Sequence, residues 1–164
     1  MRLRLNEIER AIGGSIIYKN AKDTDYVSCV EIDSRLVERD GVFIAAVGEK
    51  VDGHKFIGDV FGRGAKLVIS AKTPEEVERE HGISPSEWGS YIVVEEPYEA
   101  LRAIAEFYRE TLRIPVVGIT GSVGKTSTKE FIAGVLSERY KVLKTDGNLN
   151  NNIDPYWQKV NMGP

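Results

Sequence analysis

The chain has 164 residues, a hydrophobic fraction of 41% and a formal net charge of −3, which suit a globular protein and exclude a strongly basic nucleic-acid binder. Its single cysteine excludes an internal disulfide and a thiolate metal cluster. The N-terminus is charged and no stretch offers the ~18 apolar residues of a membrane span, so we expect a cytoplasmic protein.

Residues 1–113 alternate predicted helices and strands. Leu5, Ile8 and Ile12 recur at helical spacing before Gly13, which predicts a short helix with a glycine end. Runs rich in Val and Ile, bounded by turn residues, predict four strands at 26–32, 42–47, 67–69 and 91–94. The polar turn Asp33-Ser34-Arg35 and the loop Asp52-Gly53-His54 lie between these elements.

Three further helices are predicted in the same region. The first carries Phe56, Ile57, Val60 and Phe61 on one face. The second begins at Thr73, where Pro74 fits the first turn and Glu76 completes a capping box. The third opens at Pro97 and has one apolar stripe of Leu101, Ile104, Ala105, Tyr108 and Leu112. This alternation predicts a small mixed α/β domain over residues 1–113.

A second unit is predicted from residue 114 onward. Pro115 ends the preceding helix, Val116–Thr120 reads as a strand, a helix follows to about Ser137, and Val142–Thr145 reads as another strand. This is the opening βαβ of a parallel sheet, which needs more strands than the remaining residues supply. We therefore expect residues 114–164 to be an incomplete domain.

The strongest chemical signal is a glycine-rich segment between a predicted strand and a predicted helix, residues 118–126, with the sequence GITGSVGKT. Gly121 and Gly124 let the backbone curl around a phosphate, and the following helix presents free N–H groups to the anion. Lys125 supplies a full charge to the outer phosphates, and the Thr126 hydroxyl is placed to ligate Mg²⁺.

The match to the strict phosphate-loop pattern is incomplete, because Ile119 occupies the first glycine position and Gly118 lies one residue early. The inner pattern G-x-x-G-K-T is intact. Such a loop predicts a nucleoside triphosphate ligand but no particular reaction. We expect Lys125 to be catalytic and the ATP-binding residues of this loop to be Gly121, Ser122, Val123, Gly124, Lys125, Thr126 and Ser127.

Two sets of motifs in this sequence resemble the Mur ligases. The first is SVGKTSTKE at 122–130, followed by GNLNNNI at 147–153. The second is DSR at 33–35, GVFIA at 41–45, Gly48, DGH at 52–54, and GA at 64–65. Together they span residues 1–153 in the family's order, and the pattern is most similar to the branch that adds D-alanyl-D-alanine to UDP-N-acetylmuramoyl-tripeptide.

The resemblance implies a UDP-substrate-binding domain followed by a P-loop ATPase domain built on a parallel sheet, with ATP and Mg²⁺ as cofactors. It implies that ATP phosphorylates the tripeptide carboxylate and that the amine of D-alanyl-D-alanine then attacks the acyl phosphate, in peptidoglycan precursor synthesis. It also implies UDP-substrate contacts from Ser34, Arg35, Gly48, Asp52 and His54, and ATP contacts from Asn148 and Asn151.

Each implied contact has an alternative. Arg35 suits bidentate phosphate binding, but 33–35 is equally readable as a polar turn with an internal Asp33–Arg35 contact. His54 is as readily an exposed loop histidine. The asparagines at 148–151 also suit a plain turn.

The family pattern stops after Ile153, where Asp154 replaces a glycine and residues 154–164 are atypical. We therefore expect the 164-residue polypeptide to be unable to ligate by itself. The alternatives are a UDP-substrate-binding module with a vestigial P-loop, the related ligase that adds the third peptide residue, and a small P-loop kinase.

Overall fold

The computed structural model describes residues 3–14, 16–18, 25–48, 51–83 and 89–144. Within these residues the strands are β1 (Leu3–Arg4), β2 (Ile16–Tyr18), β3 (Tyr26–Val27), β4 (Val30–Glu31), β5 (Val42–Ala45), β6 (Leu67–Ser70) and β7 (Ser90–Val93). The helices are α1 (Leu5–Ile12), α2 (Ile57–Gly62), α3 (Pro74–His81), α4 (Pro97–Leu112) and α5 (Lys125–Ser137). None of the helices in this part of the chain has the length and apolar character that crossing a bilayer requires.

A five-stranded sheet in the order β2-β7-β6-β5-β4 forms the centre of the fold. Strands β4 to β7 run parallel in chain order, and β2 adds an antiparallel edge beside β7. β1 and β3 form a separate antiparallel pair. The mixed α/β class predicted for residues 1–113 is confirmed, and the sheet of this domain is mainly parallel.

The sheet is covered by helices on both faces. In β5, Val42 and Ile44 pack with α1 and α4, whereas Phe43 and Ala45 pack with α2 and α3. Leu67 and Val68 divide in the same way in β6. Because a strand alternates its side chains between two faces, both faces of β5 and β6 are apolar and their sequences read as unbroken hydrophobic runs.

Several helices begin or end at the capping residues that the sequence predicted. Thr73 accepts a hydrogen bond from the Glu76 amide and Glu76 accepts one from the Thr73 amide, so the predicted capping box begins α3. Pro97 occupies the first turn of α4. Gly13 ends α1 with φ of 64°, the left-handed conformation that favours glycine.

The predicted strand 26–32 is wrong as a single element. The chain breaks at Ser28, whose hydroxyl donates to the Arg39 carbonyl at 2.8 Å, while its amide donates to the Asp40 carbonyl. β3 therefore pairs with β1, and β4 joins the larger sheet. This change of sheet depends on contacts that are distant in sequence, which the Val and Ile content of the run does not encode.

The predicted strands at 116–120 and 142–145 are also corrected. The structure gives residues 113–120 and 141–144 no regular secondary structure, and Thr145 lies outside the described residues. A strand requires a hydrogen-bonded neighbour, and neither segment is paired with another described segment. The βαβ unit is thus represented here by α5, and the same region exposes Ile114, Val116, Val117, Val123, Phe131, Val135, Tyr140 and Leu143.

Candidate functional site

The glycine-rich loop turns directly into α5. Gly121 has φ of 149° and Gly124 has φ of 80°, so both occupy backbone conformations that residues with a Cβ rarely adopt. Gly124 lies immediately before the helix, and its carbonyl accepts the Thr128 amide at 2.9 Å. One glycine thus lies in the turn and the other at the start of the helix.

The head of α5 is electropositive. Lys125, its first residue, extends its amine back across the loop to the Gly121 carbonyl at 2.5 Å. The first helical amides have no intrahelical acceptor, and the first turn of α5 contains no acidic residue. Glu130, further along, is paired with Lys144, which lowers the Glu130 pKa and offsets its charge.

These features fit a polyphosphate. The loop is exposed, with 90% of Val123 accessible, so a ligand can reach the backbone amides. The Lys125 amine lies against the loop backbone at the Gly121 carbonyl, beside the free amides at the start of α5. Thr126 is an exposed hydroxyl in the first turn, the group expected to ligate Mg²⁺. The structure describes no group of three or more His, Cys, Asp or Glu side chains suited to hold a metal ion.

A second cluster of predicted residues lies beyond the carboxyl ends of two neighbouring parallel strands. Ser34 and Arg35 follow β4, and the loop from 46 to 53 follows β5. Ligands of open parallel sheets bind outside the carboxyl ends of the strands. The fold therefore brings the two motifs to the same edge, although the whole of β5 lies between them in the sequence.

The Asp33-Ser34-Arg35 turn contains the internal ion pair that was the alternative to a ligand contact. Asp33 accepts the Arg35 amide at 3.0 Å and the Arg35 guanidinium at 2.6 Å. The hydrogen bond from the guanidinium lowers the pKa of Asp33. The Arg35 side chain remains 85% exposed, and Arg63 donates to the Ser34 carbonyl. The pair thus fixes the direction of an accessible guanidinium.

The loop after β5 is a tight hairpin. Val47 pairs with Asp52 in an antiparallel bridge, the Gly48 amide donates to the Val51 carbonyl at 2.9 Å, and the Gly53 amide donates to the Ala46 carbonyl at 2.9 Å. A Cβ at Gly53 would lie 2.7 Å from the Ala46 carbonyl oxygen, so a glycine is needed there. Gly48 stands exposed near the tip.

His54 is fully buried, so its interpretation as an exposed loop histidine is wrong. Its backbone amide donates to Asp52 Oδ1 at 3.0 Å, and its Nδ1 lies 2.5 Å from the same oxygen. Nε2 is buried and has no hydrogen-bond partner within the described residues. The Asp52 cap turns the chain into a 3-10 turn (Gly53–Phe56), which carries the imidazole inward.

Asp52 is the centre of a charged cluster. Burial acts to raise its pKa, but hydrogen bonds from the His54 amide, the His54 ring and Lys72 outweigh burial and hold the pKa well below its usual range. Lys72 also reaches Glu80, and His81 Nε2 lies 3.8 Å from Asp52 Oδ2. Asp52 is therefore a structural anion of the loop base, with both carboxylate oxygens engaged.

Lys72 and Arg63 are the residues in contact with this site that the sequence did not single out. Lys72 lies two residues after the end of β6, so the carboxyl-edge rule indicates its position once the strands are known. Arg63 ends α2 and reaches Ser34 across 29 residues, which no local pattern encodes. The predicted residues Asn148 and Asn151 and the tail 154–164 lie outside the described residues.

Comparison with known families gives two matches. The family model described as Mur ligase family, catalytic domain, matches residues 26–109. The model of the Mur ligase middle domain matches residues 119–161. The first match covers the parallel sheet with its loops, and the second contains the phosphate loop and α5.

Three curated relatives share the name UDP-N-acetylmuramoyl-tripeptide–D-alanyl-D-alanine ligase. The Bacillus subtilis protein is 36% identical over 76% of this chain and 25% of its own length. The Synechocystis protein is 39% identical over 74% and 25%. The Treponema pallidum protein is 35% identical over 93% and 33%. The chain thus spans about a quarter to a third of the length of these relatives.

Two solved structures of MurF also resemble this chain. MurF from Acinetobacter baumannii superposes with a TM-score of 0.82 at 26% identity, over 99% of this chain and 34% of its own. MurF from Thermotoga maritima, solved in complex with ADP, gives a TM-score of 0.66 at 28% identity, over 84% and 30%.

Proposed function

The chain belongs to the Mur ligase family of ATP-dependent ligases, and from that premise we propose that it is the front part of the ligase that adds D-alanyl-D-alanine to UDP-N-acetylmuramoyl-tripeptide. The main structural support for this proposal is the phosphate loop at the start of α5. The curated relatives supply the substrate names.

The proposal divides the chain into a UDP-substrate-binding domain at 1–113 and an ATP-binding unit at 114–164. In its support, the two family matches lie on either side of residues 110–118. The exposed backbone after Arg113, which ends α4 with φ of 48°, also suits a boundary.

ATP, when bound, supplies the phosphoryl group that activates the peptide carboxylate. Gly121 and Gly124 would let the backbone curve around the phosphates, and the amides of 122–127 would donate to them. Lys125, whose amine contacts the Gly121 carbonyl in this structure, would offset the charge of the outer phosphates. Thr126 would hold the magnesium ion, and Asn148 and Asn151 of the second motif would contact the nucleotide.

The UDP end of the substrate binds at the carboxyl edge of the sheet in this proposal. Arg35 contributes its exposed guanidinium to the diphosphate, and Ser34 contributes its hydroxyl. Gly48 lets the ligand approach the backbone of the hairpin tip. Asp52 and His54, which are hydrogen-bonded to each other, support the base of this loop.

Calorimetry on the 164-residue polypeptide tests both halves of the proposal. Wild type should bind Mg-ATP and UDP at separate sites. Lys125→Met should weaken Mg-ATP roughly a hundredfold, the range for losing a charge-assisted contact to phosphate, and leave UDP unchanged. Lys129→Met, one turn further along α5, is the matched control and should bind both ligands normally.

Binding of UDP with no measurable Mg-ATP binding would instead favour a UDP-substrate module with a vestigial P-loop. Binding of neither ligand would overturn the proposal. We expect no amide formation by this polypeptide, since it spans 25% of the Bacillus subtilis ligase, and release of the amide product by the purified chain would contradict that expectation.

A further inference from the structure

We propose that Lys72 is a positioning residue for the UDP-substrate site, acting with His54 through Asp52 to hold the base of the hairpin loop 46–53. The inference rests on the proposed function and adds Lys72 to the site. It also changes the role of His54 from a substrate contact to a support.

The backbone of Lys72 is fixed by two fully buried side chains. Its amide donates to Ser70 Oγ at 2.9 Å, and its carbonyl accepts Ser70 Oγ at 3.0 Å and the Tyr91 hydroxyl at 2.8 Å. Burial raises the pKa of Tyr91 to about 12, so the phenol keeps the proton that it donates. The lysine therefore begins from a rigid point at the end of β6.

The Lys72 amine joins the loop to α3. Nζ lies 3.2 Å from Asp52 Oδ2 and 2.7 Å from Glu80 Oε2. The hydrogen bond to Glu80 raises the pKa of Lys72, which keeps the amine charged. Asp52 Oδ1 is taken by His54, so the carboxylate is held from two sides by two different elements. His81, on α3, also faces Asp52 Oδ2 at 3.8 Å.

Fixing Asp52 fixes the loop. Asp52 pairs with Val47 across the hairpin, and the adjacent Gly53 amide closes the base on the Ala46 carbonyl. Gly48 has no comparable anchor of its own among the described residues, since its amide donates only to the Val51 carbonyl within the loop. The position of Gly48 thus depends on the Asp52 anchor.

His54 supports Asp52 from the protein interior. It is fully buried, so a ligand at the sheet edge cannot reach its ring. A partly buried carboxylate is costly unless it is paired and hydrogen-bonded. Lys72 and His54 together meet that requirement, and loss of Lys72 would leave Asp52 and Glu80 as two carboxylates without their shared cation.

Lys66 provides a matched control at the other end of the same strand. It precedes β6, its Nζ lies 3.2 Å from Asp40 Oδ1, and it donates to the Tyr26 carbonyl at 3.0 Å. Its side chain is 16% exposed, against 25% for Lys72. The two lysines thus make similar ion pairs, but only Lys72 contacts the loop 46–53.

The experiment compares Lys72→Met, Lys72→Arg and Lys66→Met in the full 164-residue chain, with UDP as the probe in calorimetry and amide hydrogen exchange as a second readout. Lys72→Met should weaken UDP binding roughly tenfold, the effect of losing a charge-assisted hydrogen bond that orders a binding loop. The Gly48 and Gly53 amides should exchange faster. Lys72→Arg should restore most of the affinity and the protection.

Lys66→Met should lower the thermal midpoint while leaving UDP affinity and the two loop amides unchanged. The proposal is overturned if Lys72→Met binds UDP as wild type does, or if Lys66→Met weakens binding equally. Failure of wild type to bind UDP would overturn the proposed UDP-substrate site itself, and that result would be seen with the wild-type protein alone.

Discussion

Two glycines, one immediately before α5 and one within it, allow the conformation of the phosphate loop to be tested. The same glycine-to-alanine substitution is made at each position, and the second serves as the control. Gly124 precedes the helix with φ of 80°, and Gly134 lies in its interior. A Cβ built at either position meets no atom within 4 Å, so neither Gly124→Ala nor Gly134→Ala creates a clash. A difference between the two variants therefore does not arise from a clash with the rest of the protein chain.

The two substitutions should change the conformational free energy of the chain in opposite directions. An alanine in the left-handed conformation of Gly124 costs about 1–2 kcal/mol relative to other conformations of the chain. If bound ATP requires that conformation, Mg-ATP affinity should fall about 5- to 30-fold. An alanine at Gly134 should instead stabilise the helix by about 0.5–1 kcal/mol.

Calorimetry with Mg-ATP and amide exchange at Thr128, whose N–H bonds the Gly124 carbonyl, give the two readouts. Gly124→Ala should lose affinity and exchange faster at Thr128. Gly134→Ala should keep its affinity and exchange more slowly along α5. Unchanged Mg-ATP binding by Gly124→Ala would refute the argument that the left-handed turn at the head of α5 cradles the phosphates.

Three further predictions concern the N-terminal domain and its contrast with α5. Ile104→Ala removes a fully buried side chain of α4 and should cost about 2–5 kcal/mol in urea denaturation, whereas Val135→Ala, 74% exposed on α5, should change stability by less than about 0.5 kcal/mol. An equal cost at both positions would show that the exposed face of α5 is covered in solution. The Asp52 pKa is depressed by folding, so its contribution to stability is full above the ordinary carboxyl pKa and declines as pH falls below it. The stability gap between wild type and Asp52→Asn should therefore be larger at pH 7 than at pH 3, and a gap that widens on acidification would contradict this sign. The His54 ring should be the Nδ1–H tautomer, since Nδ1 faces Asp52, and nitrogen NMR shifts showing the proton on Nε2 would contradict it.

What the sequence predicted well is what local chemistry decides. The capping box of α3 needs only Thr73 and Glu76, three residues apart, and the structure forms it as predicted. The strands β5 and β6 were found because both of their faces are buried, which leaves an unbroken apolar run.

What the sequence missed is decided by partners distant in the chain. Val116–Thr120 has strand propensity but no strand beside it among the described residues. The imidazole of His54 reads as a loop residue until the Asp52 cap and its contact with Lys72 turn it inward. Arg63 reaches Ser34 only through the packing of α2 against the sheet.

The two proposed ligand sites differ in how much of the fold they need. The UDP site stands on loops whose bases are tied to buried groups, because Asp52 is held by His54 and by Lys72, which Ser70 and Tyr91 fix in turn. The phosphate loop depends on the conformation of two glycines and the head of one helix, and the apolar side chains around that helix are exposed. Substitutions in the core that packs on the sheet, such as Ile104→Ala in α4, should therefore reduce UDP binding by lowering the stability of the domain. Mg-ATP binding should depend on Gly124 and Lys125 and change little when that core is altered. A core variant that abolished Mg-ATP binding while UDP binding persisted would contradict this separation.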